Sequence, residues 1–242
     1  MEETVKKPHS FITSKMRLTA REQDLLTLAV KKIKLSSDQY FFKHQKNVTK
    51  ETIKTAFSFT TQELSQLFHV TPSALYHTLD EVTDSLINKP IFLKNPDMQE
   101  FEKIVLFSNI KYRCGVLTLE VSQSTALMML DYSKGFGEID LKILLKLNGG
   151  YEKRILDLIS RFKNKREFQC SIDELAEMLG TQRDNYKLFS NFRRVVIERP
   201  LQNIIQKSNG VWTAKKDFPK GYHLIKKGRH CSGIIFKMHY NK

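Results

Sequence analysis

Apolar residues recur along this chain with two different periods, and the switches between them lay out its elements. From residue 19 or 20 to residue 33, Leu25, Leu28, Ala29 and Ile33 return at three- and four-residue steps. That is the period of an amphipathic helix, and Glu22 follows Thr19 by three residues as in a capping box. Residues 36–55 are polar and lysine-rich and read as a loop, and 56–59 as a short strand. Thr60 or Thr61 then caps a short helix carrying Leu64, Leu67 and Phe68. His69-Val70-Thr71 makes a turn, and Pro72 stands where a first helical residue tolerates it. A second helix over 72–88 buries Leu75, Leu79, Val82 and Leu86. Residues 91–93, 103–112 and 116–121 read as strands, the last two turned at Cys114-Gly115, and a helix with Ala126, Leu127 and Leu130 follows.

Residues 133–137 (SKGFG) form the joint between two expected domains, 1–132 and 133–242. Beyond the joint, helices are expected over 140–147 and 151–162, then a short helix, a longer one over 186–197, and strands around Trp212, 222–225 and 234–238. Pro200 is expected to break or kink the longer helix and leave 201–207 as a separate turn or two. The chain also repeats itself: FTTQELSQLF at 59–68 aligns with CSIDELAEML at 170–179, an offset of 111 that sets Glu63-Leu64 over Glu174-Leu175. Each copy runs strand, short helix, turn, longer helix, strands, with a tyrosine (Tyr76, Tyr186) near the start of the longer helix. Two ordinary capped helices would share ten residues, but the shared order of elements favours duplication. The fold class is α+β: two tandem winged-helix domains, each a helix-turn-helix with a β-hairpin wing, related by internal duplication.

Charge sharpens this. The net charge is +14. Residues 1–150 carry 20 Lys and Arg against 17 Asp and Glu, and residues 151–180 carry 6 of each. Residues 181–242 carry 14 against 3, a net of +11 in the last 62 residues. A basic surface serving solubility alone would spread along the chain, whereas this concentrated field favours a polyanion. Cys114, Cys170 and Cys231 lie too far apart for a CxxC clip or a disulfide framework and read as small buried or strand residues in a reducing compartment. No apolar run approaches the ~18–20 residues of a membrane span, and residues 1–11 lack a signal-peptide core, so a cytoplasmic protein is expected.

On a helical wheel of 186–197, Phe189, Phe192 and Val196 share one face and Lys187, Asn191, Arg194 and Glu198 the opposite one. Arginine or lysine reads guanine, asparagine reads adenine and a carboxylate reads cytosine. A solvated helix face would also be polar, but this one lies inside the +11 segment. Ser190 lies beside this face, and Arg193 falls on its flank, where a phosphate contact is expected. Lys226, Lys227 and Arg229 surround a turn at Gly228 and read as the wing. In the first copy the longer helix offers Ser73, Tyr76 and His77, followed by Asp80, Glu81 and Asp84. DNA contact and a supporting or dimer-forming role stand level there. The chain has no GxxxxGK[ST] loop and no HxH or HExxH pair, so no ATPase, metal site, cofactor or catalytic constellation is expected.

At these residues the chain resembles the iteron-binding plasmid replication initiators, small proteins with two winged-helix domains. The likeness spans about residues 10 to 240. It rests on LTAREQDLLTLAVKKI (18–33), VTPSALYHTLDEV (70–82), NYKLFSNFRRVVIERPLQNII (185–205) and LIKKGRHCSGIIFKM (224–238). The resemblance implies binding of direct repeats in double-stranded origin DNA as a monomer and repression of the protein's own gene at an inverted repeat as a homodimer joined through the first domain. It also implies origin opening and recruitment of host replication proteins without ATP hydrolysis. Carried across by position, Lys187, Asn191, Arg193, Arg194 and Arg229 contact DNA in the second domain, and Ser73, Tyr76 and His77 in the first. Two departures stand out: Pro200 in place of a helix-continuing residue, and residues 212–221, which lengthen the approach to the wing. A winged-helix transcriptional repressor without a replication role is the alternative.

Overall fold

The computed structural model describes residues 4–95, 99–165, 167–228 and 230–241, with backbone alone at 94 and 95. Two compact units emerge, one of Val5–Phe11 and Arg21–Phe136, the other chiefly of Ile12–Ala20 and Gly137–Lys242.

In chain order, β1 (Thr4–Pro8) and α1 (His9–Thr13) precede α2 (Ala20–His44), β2 (Ala56–Thr60), α3 (Thr61–Phe68) and α4 (Pro72–Leu86). Then come β3 (Pro90–Asn95), β4 (Glu100–Val105), β5 (Asn109–Arg113), β6 (Val116–Glu120) and α5 (Gln123–Met128). Strands β2, β6 and β5 form one antiparallel sheet in that order, and β3 pairs with β4 in a separate hairpin. The apolar stripe of α2 is buried as its spacing requires. The helix nonetheless runs eleven residues past Ile33, through residues expected to be loop. Nothing from 34 to 44 breaks a helix, and polar residues there are simply its solvent face. Lys34 pairs with Asp38 one turn on, and Tyr40 packs on His44 with ring centroids 4.4 Å apart. The helix stops where Gln45 turns left-handed (φ 53°) and its N–H donates to Phe41 O at 2.7 Å.

The strand expected over 103–112 is two strands. Leu106 and Phe107 are both fully buried. Two successive residues of one strand face opposite ways, so burying both interrupts the ladder and sends β4 and β5 into different sheets. Val82 is only partly buried, unlike Leu75, Leu79 and Leu86.

After β7 (Phe136–Asp140), the second unit holds α6 (Leu141–Lys146), α7 (Gly150–Phe162), β8 (Phe168–Ser171), α8 (Ile172–Met178) and a 3-10 turn at Arg183–Asn185. A long helix, α9, follows in three consecutive segments: Phe189–Phe192 α-helical, Arg193–Glu198 π-helical and Arg199–Lys207 α-helical. Strands β9 (Trp212–Ala214), β10 (Tyr222–Lys227), β11 (His230–Phe236) and β12 (Met238–Tyr240) complete it. Pro200 does not break α9: Glu198 and Arg199 keep right-handed helical dihedrals, and the proline falls in the first turn of the last segment. The wider π turn just before it gives the ring room where α winding would press it on the carbonyl of Val196. Residues 212–221, expected to lengthen the approach to the wing, hold β9, which pairs with β12.

The duplication carries through to hydrogen bonds. Thr60 and Ser171, 111 apart, both cap their short helices by accepting from the N–H of Glu63 and Glu174 (3.1 Å each), and both glutamates reach back to the cap N–H at 2.7 Å. Leu64 and Leu175 beside them are fully buried. The sheets match too, β2-β6-β5 against β8-β11-β10. Each copy is therefore strand, two helices and a terminal hairpin folded back on the first strand.

Arg154 on α7 is buried at the centre of the second unit. Its Nη2 donates to the carbonyls of Ile12 (2.9 Å), Ser14 (2.8 Å) and Met178 (2.7 Å), and its Nε to Met178 O at 3.1 Å. Asp157 lies 3.8 Å away. Gly180 closes the same junction at φ +69°, so near that an added Cβ would sit 2.1 Å from Met16 O. Segment 12–20 is thus an integral part of this unit.

Candidate nucleic-acid interface

The second copy builds its surface on α9. Phe192, Val196, Ile197, Leu201 and Ile204 are buried in a core shared with α7, α8 and Trp212, which leaves Ser190, Asn191 and Arg194 exposed on the outer side. Among the described residues Arg194 enters no ion pair. The helix begins at Phe189, three residues later than expected. Lys187 therefore lies outside it, exposed in the connection from the 3-10 turn. Tyr186 is held there by its hydroxyl, 3.1 Å from that of Tyr151, and by its ring against Phe192. Burial and then the Tyr151 contact push its pKa up to about 12.

Glu198 also departs from the wheel. Its side chain is 16% exposed, and its Oε1 accepts from Tyr222 Oη at 2.7 Å and from Lys220 Nζ at 3.0 Å. Arg193 Nε lies 3.5 Å from the same oxygen, an ion pair looser than a hydrogen bond. Burial alone would raise the pKa of this carboxyl, but the bonds from Tyr222 and Lys220 and the charges of Lys220 and Arg193 outweigh it and hold it below its ordinary value. The physical reason is the winding. The wider π winding, with backbone bonds from i to i+5, brings Arg193 round toward the face of Glu198, and the carboxylate pairs with it and not with Arg194, the partner that α spacing favours. A carboxylate so occupied is not a free base reader.

The wing is the β10–β11 hairpin. Lys226 and Lys227 are exposed opposite Cys231 and His230, and a register shift follows Ile225. Gly228 turns it at φ +61° with open space around its Cα. Arg229 lies outside the described residues.

In the first copy, Ser73, Tyr76 and His77 are exposed at the start of α4, which Thr71 caps and Pro72 opens. Tyr76, 51% exposed, packs on Tyr112 of the β5–β6 hairpin with ring centroids 5.8 Å apart. Tyr112 in turn meets Thr61 Oγ1 at 2.9 Å. The wing-side partners Tyr112, Lys220 and Tyr222 escaped the sequence reading, since no spacing links them to helices 22 to 36 residues away. Cys170 sits in β8, where burial first and Glu174 second push its thiol up to about 12, whereas Cys114 is exposed at a turn. No described helix is long and apolar enough to cross a membrane.

Two family models match the chain: the initiator replication protein first winged-helix domain over residues 4–160, and the initiator Rep protein second winged-helix domain over 171–238. Among solved structures, the chain is similar to the Pi initiator protein in its crystal structure with iteron DNA. Identity is 19%, the TM-score 0.66, and the match covers 100% of this chain and 98% of that one. A crystal structure of domains 2 and 3 of RctB matches at 14% identity and a TM-score of 0.47, over 90% of this chain and 82% of that one. No curated protein sequence matches.

Proposed function

The chain belongs to the initiator replication protein family, and from that premise we propose that it starts plasmid replication by binding direct repeats, iterons, in double-stranded origin DNA. The observation that carries this reading is the exposed trio Ser190, Asn191 and Arg194 on α9, which shares with the exposed wing lysines Lys226 and Lys227 the segment that holds most of the excess charge. Arg194 and Asn191 read bases in the major groove. Lys187, Ser190, Arg193, Lys226, Lys227 and Arg229 anchor phosphates. Ser73, Tyr76 and His77 add contacts from the first domain, so that 1–132 assists and 133–242 leads. The Pi initiator bound to iteron DNA, alike in fold over its whole length, supports the assignment.

The same reading includes a monomer–dimer equilibrium, repression of the protein's own gene by the dimer at an inverted repeat, recruitment of host replication proteins and residence in the bacterial cytoplasm. It includes no chemistry of the protein's own, so a supercoil-nicking assay with magnesium or manganese should leave plasmid intact. A footprint on the DNA flanking the gene tests the whole. Tandem protected repeats are expected, and protection of a promoter palindrome alone would replace the initiator with a repressor.

A further inference from the structure

We propose that Glu198 is a specificity-determining positioning residue: in the π turn of α9 it takes Arg193 as its helix partner, leaves Arg194 without an ion pair among the described residues, and ties the helix to the strand that carries the wing. This rests on the DNA-binding reading above and names a part that reading does not assign.

Three observations converge on one oxygen. Tyr222 and Lys220, at and just before the start of β10, both donate to Glu198 Oε1, and Arg193 Nε stands 3.5 Å from it. Glu198 thus bridges α9, which holds Arg194, and β10, which ends in Lys226 and Lys227. With α-helical winding the i, i+4 neighbour of Glu198 is Arg194, and the carboxylate would neutralise the side chain best placed to read a base. The π segment Arg193–Glu198 moves the partner by one residue. Arg193 remains 37% exposed with its Nε turned to the carboxylate. A guanidinium has five donors, so one edge is oriented by Glu198 while others remain for a phosphate.

An acidic group on a DNA-facing helix makes an opposite default prediction. If Glu198 were only a rim charge, its removal would strengthen binding to every duplex alike, by relief of repulsion. As a positioning residue, its removal lowers discrimination instead. The test measures affinity of the full chain for a footprinted repeat and for a scrambled duplex, in wild type, Glu198→Ala, Glu198→Gln, Tyr222→Phe and Arg194→Ala, with thermal unfolding of each.

Glu198→Ala should cut the cognate-to-scrambled ratio by about tenfold, with scrambled binding held or improved. Glu198→Gln, whose carbonyl still accepts from Tyr222 and Lys220, should recover most of the ratio, and Tyr222→Phe should fall between. Should Glu198→Ala unfold, Tyr222→Phe and Glu198→Gln decide alone. An unchanged ratio in all three, with Arg194→Ala discriminating poorly, overturns this inference and leaves the DNA reading standing. Failure of the wild type itself to prefer the repeat overturns that reading instead.

Discussion

At the scale of single residues, two exposed cations should behave differently. Arg194 is expected to bond a base edge, so Arg194→Ala should cost about 1–3 kcal/mol on the cognate repeat and relax specificity at one position. Lys227, on the wing, is expected to meet phosphate. Lys227→Ala should weaken all duplexes similarly and reduce the slope of log affinity against log salt by about one. Binding isotherms at several salt concentrations separate the two. Glu198 adds a dependence on pH. Its folded pKa lies below its unfolded value, so the stabilisation is complete above the unfolded pKa, about 4.3, and is lost as pH falls through the folded one. Urea unfolding across the acid range should therefore show the gap between wild type and Glu198→Gln closing as pH drops.

Elements differ in how far their making is local, and that decides what was legible. Both capping boxes span only four residues, so the cap at Thr60 or Thr61 was legible, but the reciprocal bonds of Glu63 with Thr60 and of Glu174 with Ser171 emerged only with the structure. The burial of Leu64, Leu75 and Leu79 follows from periodicity alike. The far end of α2 was missed because its polar residues stabilise a solvent face rather than mark a loop. The π turn was missed for a deeper reason. A wheel assumes one winding, and nothing in FRRVVIERP distinguishes α from π before the core on Phe192, Val196 and Ile197 and the reach to Tyr222 are known. Glu198 was consequently placed on the wrong side. The turn after α8 supplies a stability prediction at this scale. Gly180→Ala must strain a left-handed backbone and collide with Met16 O, so it should destabilise the protein by about 2 kcal/mol or more in urea unfolding.

For the whole molecule, charge and connectivity run on different plans. The excess charge of +11 is gathered in the last 62 residues, yet the unit that carries it also incorporates Ile12–Ala20. Arg154 is where the two plans meet. Burial lowers its pKa, with Asp157 opposing, and three main-chain carbonyls satisfy its guanidinium. Arg154→Met would leave those carbonyls without a donor and should cost about 3–5 kcal/mol, measured as a shift in the urea midpoint. A fragment of 137–242 should be similarly weakened, and a peptide of residues 12–20 added in trans should restore it saturably.

That dependence also sets an order of events during synthesis. Chains fold from the N-terminus as they emerge, at about 5–20 residues per second. Residues 12–20 leave the ribosome well ahead of Arg154 and Gly180, which clasp them and arrive more than 130 residues later. For several seconds this strip is an unclaimed thread, while 5–11 and 21–136, which make up the first unit, have all emerged. The second unit can close only after Gly180 has emerged. A nascent chain stalled before Gly180 would hold a finished first unit and no usable second one.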